Sequence, residues 1–379
     1  MPERVLEQWE ERRQAGSEPK LVLLDGRPLQ GPDAHRGVGT YVRGLLQGLE
    51  EIGWGSRLAL LVDAGLPVPK TGLPTYPLRK RYRGRLSNLE DALALRFALE
   101  QIRPALYHAT SLSLPGRAPC PVVATLHDLI PWAYGGRALL GERIRYWAGK
   151  RLLRNADRVL AVSEASAADA RRLAAVDARR LEVVPEGVGA AFHVAEGAGD
   201  RVRARYGLEP GYLLYVGALD ARKDPRGLLA AWRAAEAAGA AAPLVLAGEP
   251  GAQAPANMGA AVRLGLVGEA ELVDLYGAAG CLVFPSRYEG FGLPLLEAMA
   301  CGCPAVAYAN SSLPEVAGEA AELVADGDAE ALGRAAAALL LEPRRRQAAR
   351  RRGLQRARRY TWARTAEMTA RVYADLVHD

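Results

Sequence analysis

Short apolar runs separated by longer amphipathic stretches recur along this chain, and the series occurs twice. Runs at 21–24, 59–62, 105–108, 122–125, 159–162 and 181–184 are rich in Leu, Val and Ala, with helical segments such as 38–51 and 144–153 between them. Brief, nearly continuous apolar runs are what a parallel sheet covered on both faces requires. The rhythm breaks over 190–205, a stretch rich in Gly and charge, and restarts at Tyr212-Leu213-Leu214-Tyr215-Val216. It continues at 244–247, 262–264, 282–284 and 305–307. The pattern predicts an α/β chain of two Rossmann-like domains facing each other across a cleft, the first over 1–200 and the second over 201–360. A chain of 379 residues has room for both. Ligands of open parallel sheets bind beyond the carboxyl ends of the strands, so the residues that follow each run are the first candidates for function.

The stretch Glu289-Gly-Phe-Gly-Leu-Pro-Leu-Leu-Glu297 follows one such run and opens a helix that carries on to Ala300. Pro294 suits a helix start, where its missing N–H is no loss. The N–H groups of Phe291, Gly292 and Leu293 then point out of the helix N-terminus, a cradle for phosphate. Glu289 precedes the cradle and Glu297 lies further along the helix. A diphosphate flanked by two hydroxyl-rich groups fits this layout, as do two surface acids at a helix start. With the following Ala298-Met-Ala-Cys-Gly-Cys-Pro304, the segment resembles the E-x7-E signature of the retaining GT-B glycosyltransferases of family 4. That resemblance implies a GT-B fold and a first glutamate on the donor sugar, with the second on the nucleotide ribose. It implies transfer of a hexose (mannose or glucose type) from a GDP- or UDP-linked donor to a hydroxyl acceptor, a glycan or lipid-linked glycan. Arg359-Tyr-Thr-Trp-Ala-Arg-Thr365 resembles the family's closing helix, which places about 361–379 back on the first domain.

Three further constellations sit at strand ends. Gly37 and Gly39 open a helix and let backbone approach a ligand. A plain turn explains them equally, and Val42 breaks any G-x-G-x-x-G, which disfavours dinucleotide binding. The loop resembles the family's glycine-rich first loop, beside donor phosphate and acceptor. His127, in Thr125-Leu-His-Asp-Leu129, and His108 have the same placement after their runs. Either can hydrogen-bond or relay a proton; the resemblance selects His127 as the donor-site histidine and leaves His108 to the acceptor side. Arg222 and Lys223 follow the first run of the second half, where a fork and a point charge suit a diphosphate. Some family members carry Arg where this chain has Ala218, which shifts the phosphate contacts onto Arg222 and Lys223.

Asp326-Gly327-Asp328 imitates a metal-binding D-x-D, but Asp328 precedes an alanine-rich helix and reads as its N-cap. No metal and no cofactor are expected, because the nucleotide sugar is a substrate. No apolar run reaches the length of a membrane helix. The first residues lack an apolar signal core, and Cys120, Cys281, Cys301 and Cys303 have neither CxxC nor metal-ligand spacing, so a cytoplasmic setting is expected. The net charge of +6 is uneven, with cations clustered at 79–85 and 344–359. The first cluster, interleaved with Tyr82 and Leu86, fits a peripheral contact with anionic lipid or a solvated loop. The second reads as a solvated helix face, and no aromatic signature accompanies either to suggest nucleic acid. Two alternatives to transfer stand beside it: a GT-B phosphorylase or sugar-phosphate synthase, and a non-catalytic sugar-nucleotide-binding subunit.

Overall fold

The computed structural model describes residues 20–31, 34, 37–79, 87–135, 139–251 and 258–377. The basic segment 79–85 therefore lies outside the described residues, apart from Arg79. The chain divides into two compact units, Met1–Gly187 with Trp362–Asp379, and Val188–Thr361. The crossing between them thus falls before the Gly-rich stretch at which the sequence rhythm breaks.

The first unit holds a seven-stranded parallel sheet of order β3-β2-β1-β4-β5-β6-β7. Its strands are β1 (Val22–Asp25), β2 (Leu58–Asp63), β3 (Thr75–Leu78), β4 (Leu106–Ala109), β5 (Val122–Leu126), β6 (Arg158–Ala161) and β7 (Leu181–Val183). The central β1 pairs with β2 on one side and β4 on the other, Val22 meeting Leu58 and Leu106. Every residue of β1, β4 and β5 is buried, as their continuous apolar runs require. The helices are α1 (Gly37–Glu51), α2 (Ser87–Ile102), α3 (Ile130–Ala133), α4 (Leu140–Leu152) and α5 (Glu164–Ala174).

The last helix, α13 (Trp362–Leu376), belongs to this unit and packs along α1. Gly44 and Gly48 make that approach possible: a Cβ on Gly44 would overlap the Trp362 indole, and one on Gly48 the Trp362 backbone. Thr365 Oγ1 donates to the Pro185 carbonyl at 2.7 Å, tying the helix to the end of the first passage through this unit.

The second unit holds a six-stranded parallel sheet of order β10-β9-β8-β11-β12-β13. Its elements are α6 (Ala198–Tyr206), β8 (Leu213–Val216), α7 (Pro225–Ala237), β9 (Leu244–Ala247), β10 (Val262–Gly265), α8 (Glu269–Ala278), β11 (Cys281–Phe284), α9 (Leu293–Ala300), β12 (Ala305–Tyr308), α10 (Leu313–Ala317), β13 (Glu322–Val324), α11 (Ala329–Leu341) and α12 (Pro343–Ala357). The basic stretch on α12 is more than a solvated face. Arg345 grips Glu322 with two bonds, Arg350 donates to the Gly302 carbonyl, and Arg352 to that of Glu319.

Both sheets reverse strand order at one point, between β1 and β4 in the first unit and between β8 and β11 in the second. Loops leaving the carboxyl ends of those strands diverge and leave a crevice.

Candidate active site

At the reversal point of the second sheet, two loops bring three charged side chains together. After β8 the chain makes a 3-10 turn, Ala221–Lys223, with an aspartate at each end. Asp220 accepts from the Lys223 N–H at 3.1 Å, and Asp224, at φ +47°, caps α7 by accepting from the Gly227 N–H at 2.9 Å. Arg222 and Lys223 are thereby fixed between two short caps. After β11 the second loop runs through Ser286 to Glu289, and the Arg287 N–H donates to the Arg222 carbonyl at 2.8 Å. The loop beyond β12 holds this one in turn. Asn310 Nδ2 donates to the Ser286 carbonyl at 2.9 Å, and the Glu289 N–H donates to Ser311 Oγ at 2.9 Å.

All the side-chain bonds of Glu289 fall on one carboxylate oxygen. Its Oε1 takes Lys223 Nζ, Arg222 at 3.0 Å and the Ser286 hydroxyl at 2.5 Å. No protein donor reaches Oε2 among the described residues. The Lys223 and Glu289 side chains are only 10% and 11% exposed. Burial pushes the Lys223 ammonium below its ordinary value, with Glu289 opposing the shift and Arg222 adding to it. Burial also pushes the Glu289 carboxyl up, but the two cations outweigh it and hold it below the ordinary carboxylate range. Two cations against one carboxylate leave a single positive charge in the buried group. Asp220, 3.7 Å from Arg222, is about half exposed and screened by water.

The start of α9 adjoins this group. Gly292 takes φ +108°, which only glycine adopts readily, and Pro294 fills the first turn. The N–H groups of Phe291, Gly292 and Leu293 find no acceptor among the described residues, so the positive end of the helix adds to the charge beside it. The Ser312 hydroxyl fixes the turn by bonding the Glu289 and Phe291 carbonyls at 3.1 and 2.7 Å. Phe291 is buried edge-to-face against Tyr360, with centroids 5.8 Å apart. Further along α9, Glu297 accepts from the buried Tyr276 hydroxyl at 3.0 Å. An anion-binding corner flanked by two oriented carboxylates suits a diphosphate bearing a hydroxylated group at each end.

The first unit carries its own polar cluster beyond β4 and β5. His127 stands with Nδ1 3.0 Å from Glu186 Oε1 and Nε2 3.1 Å from the Thr110 carbonyl. Its ring meets Tyr41 of α1 edge-on, with centroids 4.7 Å apart. Tyr41 bonds Thr125 at 2.9 Å, and Thr125 bonds His108 Nε2 at 2.8 Å. His108 Nδ1 in turn meets the Tyr373 hydroxyl of α13 at 2.5 Å. Complete burial, with His127 nearby, pushes the His108 value down to about 3, so this ring is a neutral core member. The expectation that His108 lines an acceptor surface is thereby corrected: a strand-end position in sequence did not distinguish a ring turned inward from one turned outward. Gly37 is the first residue of α1 and is exposed, while Gly39 is buried in its first turn.

Comparison with known proteins gives these features a context. The pattern of Glycosyltransferase Family 4 matches residues 35–192, and that of Glycosyl transferases group 1 matches residues 200–356. O-antigen chain mannosyltransferase B of Escherichia coli is 31% identical over 295 residues, 73% of this chain and 76% of that protein. The chain belongs to the group 1 glycosyltransferases. It spans 48% of the length of another relative, the serotype-specific mannosyltransferase WbdA of Escherichia coli, at 23% identity. Among solved structures, the sucrose-phosphate synthase of Thermosynechococcus elongatus superposes with a TM-score of 0.76 at 24% identity, covering 94% of this chain and 99% of that one. Anabaena HepE in complex with UDP and glucose gives 0.74 at 19%, covering 95% and 100%. These two share its fold, the GT-B arrangement of two parallel-sheet α/β domains.

Within this glycosyltransferase, Arg222, Lys223, Glu289 and the Phe291–Leu293 turn lie together in one corner, as their motifs suggested. Sequence reasoning missed Ser286, Tyr276 and Glu186, each of which orients a residue it did select. Glu186 lies 59 residues from His127 and nothing local marks it. Asp328 caps α11 by accepting from the Ala331 N–H at 2.9 Å, and Asp326 pairs with Arg287 at 3.3 Å. Among the described residues no group of three or more His, Cys, Asp or Glu is arranged to hold a metal ion. No described helix is long and apolar enough to cross a membrane.

Proposed function

We propose that this glycosyltransferase moves a hexose of mannose or glucose type from a GDP- or UDP-linked donor to a glycan or lipid-linked glycan hydroxyl, with retention and without a metal. The observation that carries this reading is the convergence of Arg222, Lys223 and Ser286 on Glu289 Oε1 beside the α9 N-terminus. In the proposed arrangement Arg222, Lys223 and the α9 turn take the diphosphate and stabilise the charge that develops on its leaving oxygen. Glu289 Oε2 accepts a hydroxyl of the transferred sugar, and Glu297, oriented by Tyr276, accepts from the ribose. His127, held by Glu186, is the functional side chain proposed for the first unit, and the open helix start at Gly37 and Gly39 is its proposed backbone approach. The mannosyltransferase relative from Escherichia coli supports a mannose donor and a role in polysaccharide assembly. The solved UDP complex of a protein of this fold supports a nucleotide diphosphate at such a site. We place the work of this enzyme in the cytoplasm.

A panel of GDP- and UDP-hexoses, incubated with and without saccharide acceptors and with EDTA, tests the reading. Transfer from one donor that survives chelation, with the α configuration kept in the product by NMR, is the expected result. Inversion of the anomeric centre, or activity lost to EDTA and restored by Mn²⁺, would contradict the retaining and metal-independent parts. Transfer solely to inorganic phosphate or a sugar phosphate would replace the glycan acceptor with the phosphorylase or synthase alternative.

A further inference from the structure

The Asp326-Gly327-Asp328 turn, which imitates a metal motif, has a place beside the charged corner that its sequence does not show. Asp326 Oδ1 accepts from Asn310 Nδ2 at 2.6 Å and faces Arg287 Nε at 3.3 Å. Gly327 takes φ +82°, and a Cβ there would stand 2.2 Å from Arg287 Nη1, so the guanidinium closes directly over the turn. The same Asn310 Nδ2 donates to the Ser286 carbonyl at 2.9 Å. Asn310 Oδ1 accepts from the Ser311 hydroxyl at 3.0 Å, and Ser311 Oγ accepts from the Glu289 N–H at 2.9 Å. One amide thus reaches both ends of the Ser286–Glu289 loop, directly at one end and through Ser311 at the other.

The chemistry of these partners fixes which way the amide faces. Nδ2 meets two acceptors, a carbonyl and a carboxylate, while Oδ1 meets a hydroxyl donor. The flipped amide would set its oxygen against both acceptors, so Asp326 selects one of the two orientations. Ser311 takes φ +44°, a left-handed conformation that is costly for a non-glycine residue and persists where surrounding bonds hold it. Here it brings the Ser311 hydroxyl between Asn310 and the Glu289 N–H. The Asp326 and Arg287 side chains are 39% and 34% exposed, so this cluster adds little apolar burial to the fold. What it does constrain is the loop that carries Ser286 and Glu289, the two residues joined at Glu289 Oε1.

We propose that Asn310, its amide oriented by Asp326, is a positioning residue that fixes the Ser286–Glu289 loop and so aims the Glu289 carboxylate. The proposal rests on the reading of Glu289 as the carboxylate for the transferred sugar, so Glu289→Ala is measured alongside. Cleavage of GDP-mannose and UDP-glucose at saturating concentration, with calorimetric titration of GDP and UDP, supplies the readouts. Asn310→Ala and Asp326→Ala are each expected to lower kcat at least about tenfold, because small displacements of a group at the reacting centre carry large rate effects. Asp326→Asn keeps an oxygen toward Asn310 and should recover about threefold of that loss. The double alanine variant should lose no more than about twofold beyond Asn310→Ala, since the two residues act as one unit. GDP and UDP affinities should stay within about threefold of wild type, because Arg222, Lys223 and the α9 turn are untouched. Asp328→Ala, which removes the α11 cap from the same turn, should lower the melting temperature and leave kcat at the wild-type value. Wild-type kcat in Asn310→Ala, with Glu289→Ala inactive, would overturn the positioning role alone; full turnover in both would overturn the reading of Glu289 with it. An equal fall of kcat in Asp328→Ala would also overturn the proposal, since the cause would then be a general loosening of the fold. So would a Mn²⁺ requirement that Asp326→Ala abolishes, which would make Asp326 a metal ligand.

Discussion

Replacing Glu289 by Gln should separate two quantities that most active-site substitutions lower together. In the buried corner Lys223 and Arg222 share Glu289 Oε1, and Gln removes the only full negative charge at its centre. The local charge rises from one positive unit to two. At roughly 6–8 Å and an effective dielectric of about 20, an added unit charge is worth about 2–3 kcal/mol to an anionic ligand. Part of that is given back, because burial already pushes the Lys223 ammonium down and would now act unopposed by the carboxylate. A net gain of about 1 kcal/mol corresponds to roughly fivefold tighter nucleoside diphosphate binding. Turnover should move the other way by at least about 100-fold, since the carboxylate proposed to accept the sugar hydroxyl in the transition state is gone. The fold should also weaken by about 3 kcal/mol, as when one partner leaves a buried ion pair. Calorimetric titration with GDP and UDP, with initial rates at saturating donor, measures both. Near-normal turnover would refute the assignment of Glu289, and a parallel fall in nucleotide affinity would refute the charge argument.

Glu297→Ala should raise the donor KM by roughly 10- to 100-fold with kcat close to wild type, because the ribose contact proposed for it is remote from the reacting bond and nearly uniform along the reaction. Glu186→Ala should cut turnover by roughly tenfold or more while leaving nucleoside diphosphate affinity unchanged, as loss of a charged hydrogen bond that holds His127 predicts; equal nucleotide affinity and equal turnover would make the contact merely structural. The folded-state value of His108 near 3 lies below the ordinary 6.5, so the unfolded chain protonates first and stability falls as pH drops between those values. From pH 7 to 5 this group should cost about 2 kcal/mol, and urea denaturation of His108→Asn should show that much less acid sensitivity.

The central strands were legible because both faces of each are covered: β5 (Val122–Leu126) and β11 (Cys281–Phe284) are continuous apolar runs in sequence and fully buried in the fold. Of the four edge strands, β7 and β10 were also legible as short apolar runs, and β3 and β13 were not. β3 (Thr75–Leu78) contains Pro77, and β13 (Glu322–Val324) is short and half-buried, so neither carries the signal of a covered strand. In the charged corner of the second unit Glu289 and Lys223 could be singled out because a contiguous motif carries each. Ser286 and Glu186 could not, since their roles exist only once distant loops meet. Helix α4 shows the opposite failure: Leu140, Ile144 and Trp147 have the spacing of a core-facing stripe, and only the fold shows that it looks outward. Helical periodicity reports that a face is apolar, and never which neighbour it meets.

The central claim is that Arg222 and Lys223, at the reversal point of the second sheet, receive the diphosphate of a nucleotide sugar. Titration of GDP and UDP into wild type and into Arg222→Met/Lys223→Met, both in the presence of EDTA, tests it most directly. At roughly 1.5–3 kcal/mol for each charged contact, the double variant should lose at least about 100-fold in affinity for whichever nucleotide the wild type binds. Equal affinity in the two proteins, with the variant shown to be folded by its melting curve, would contradict the claim.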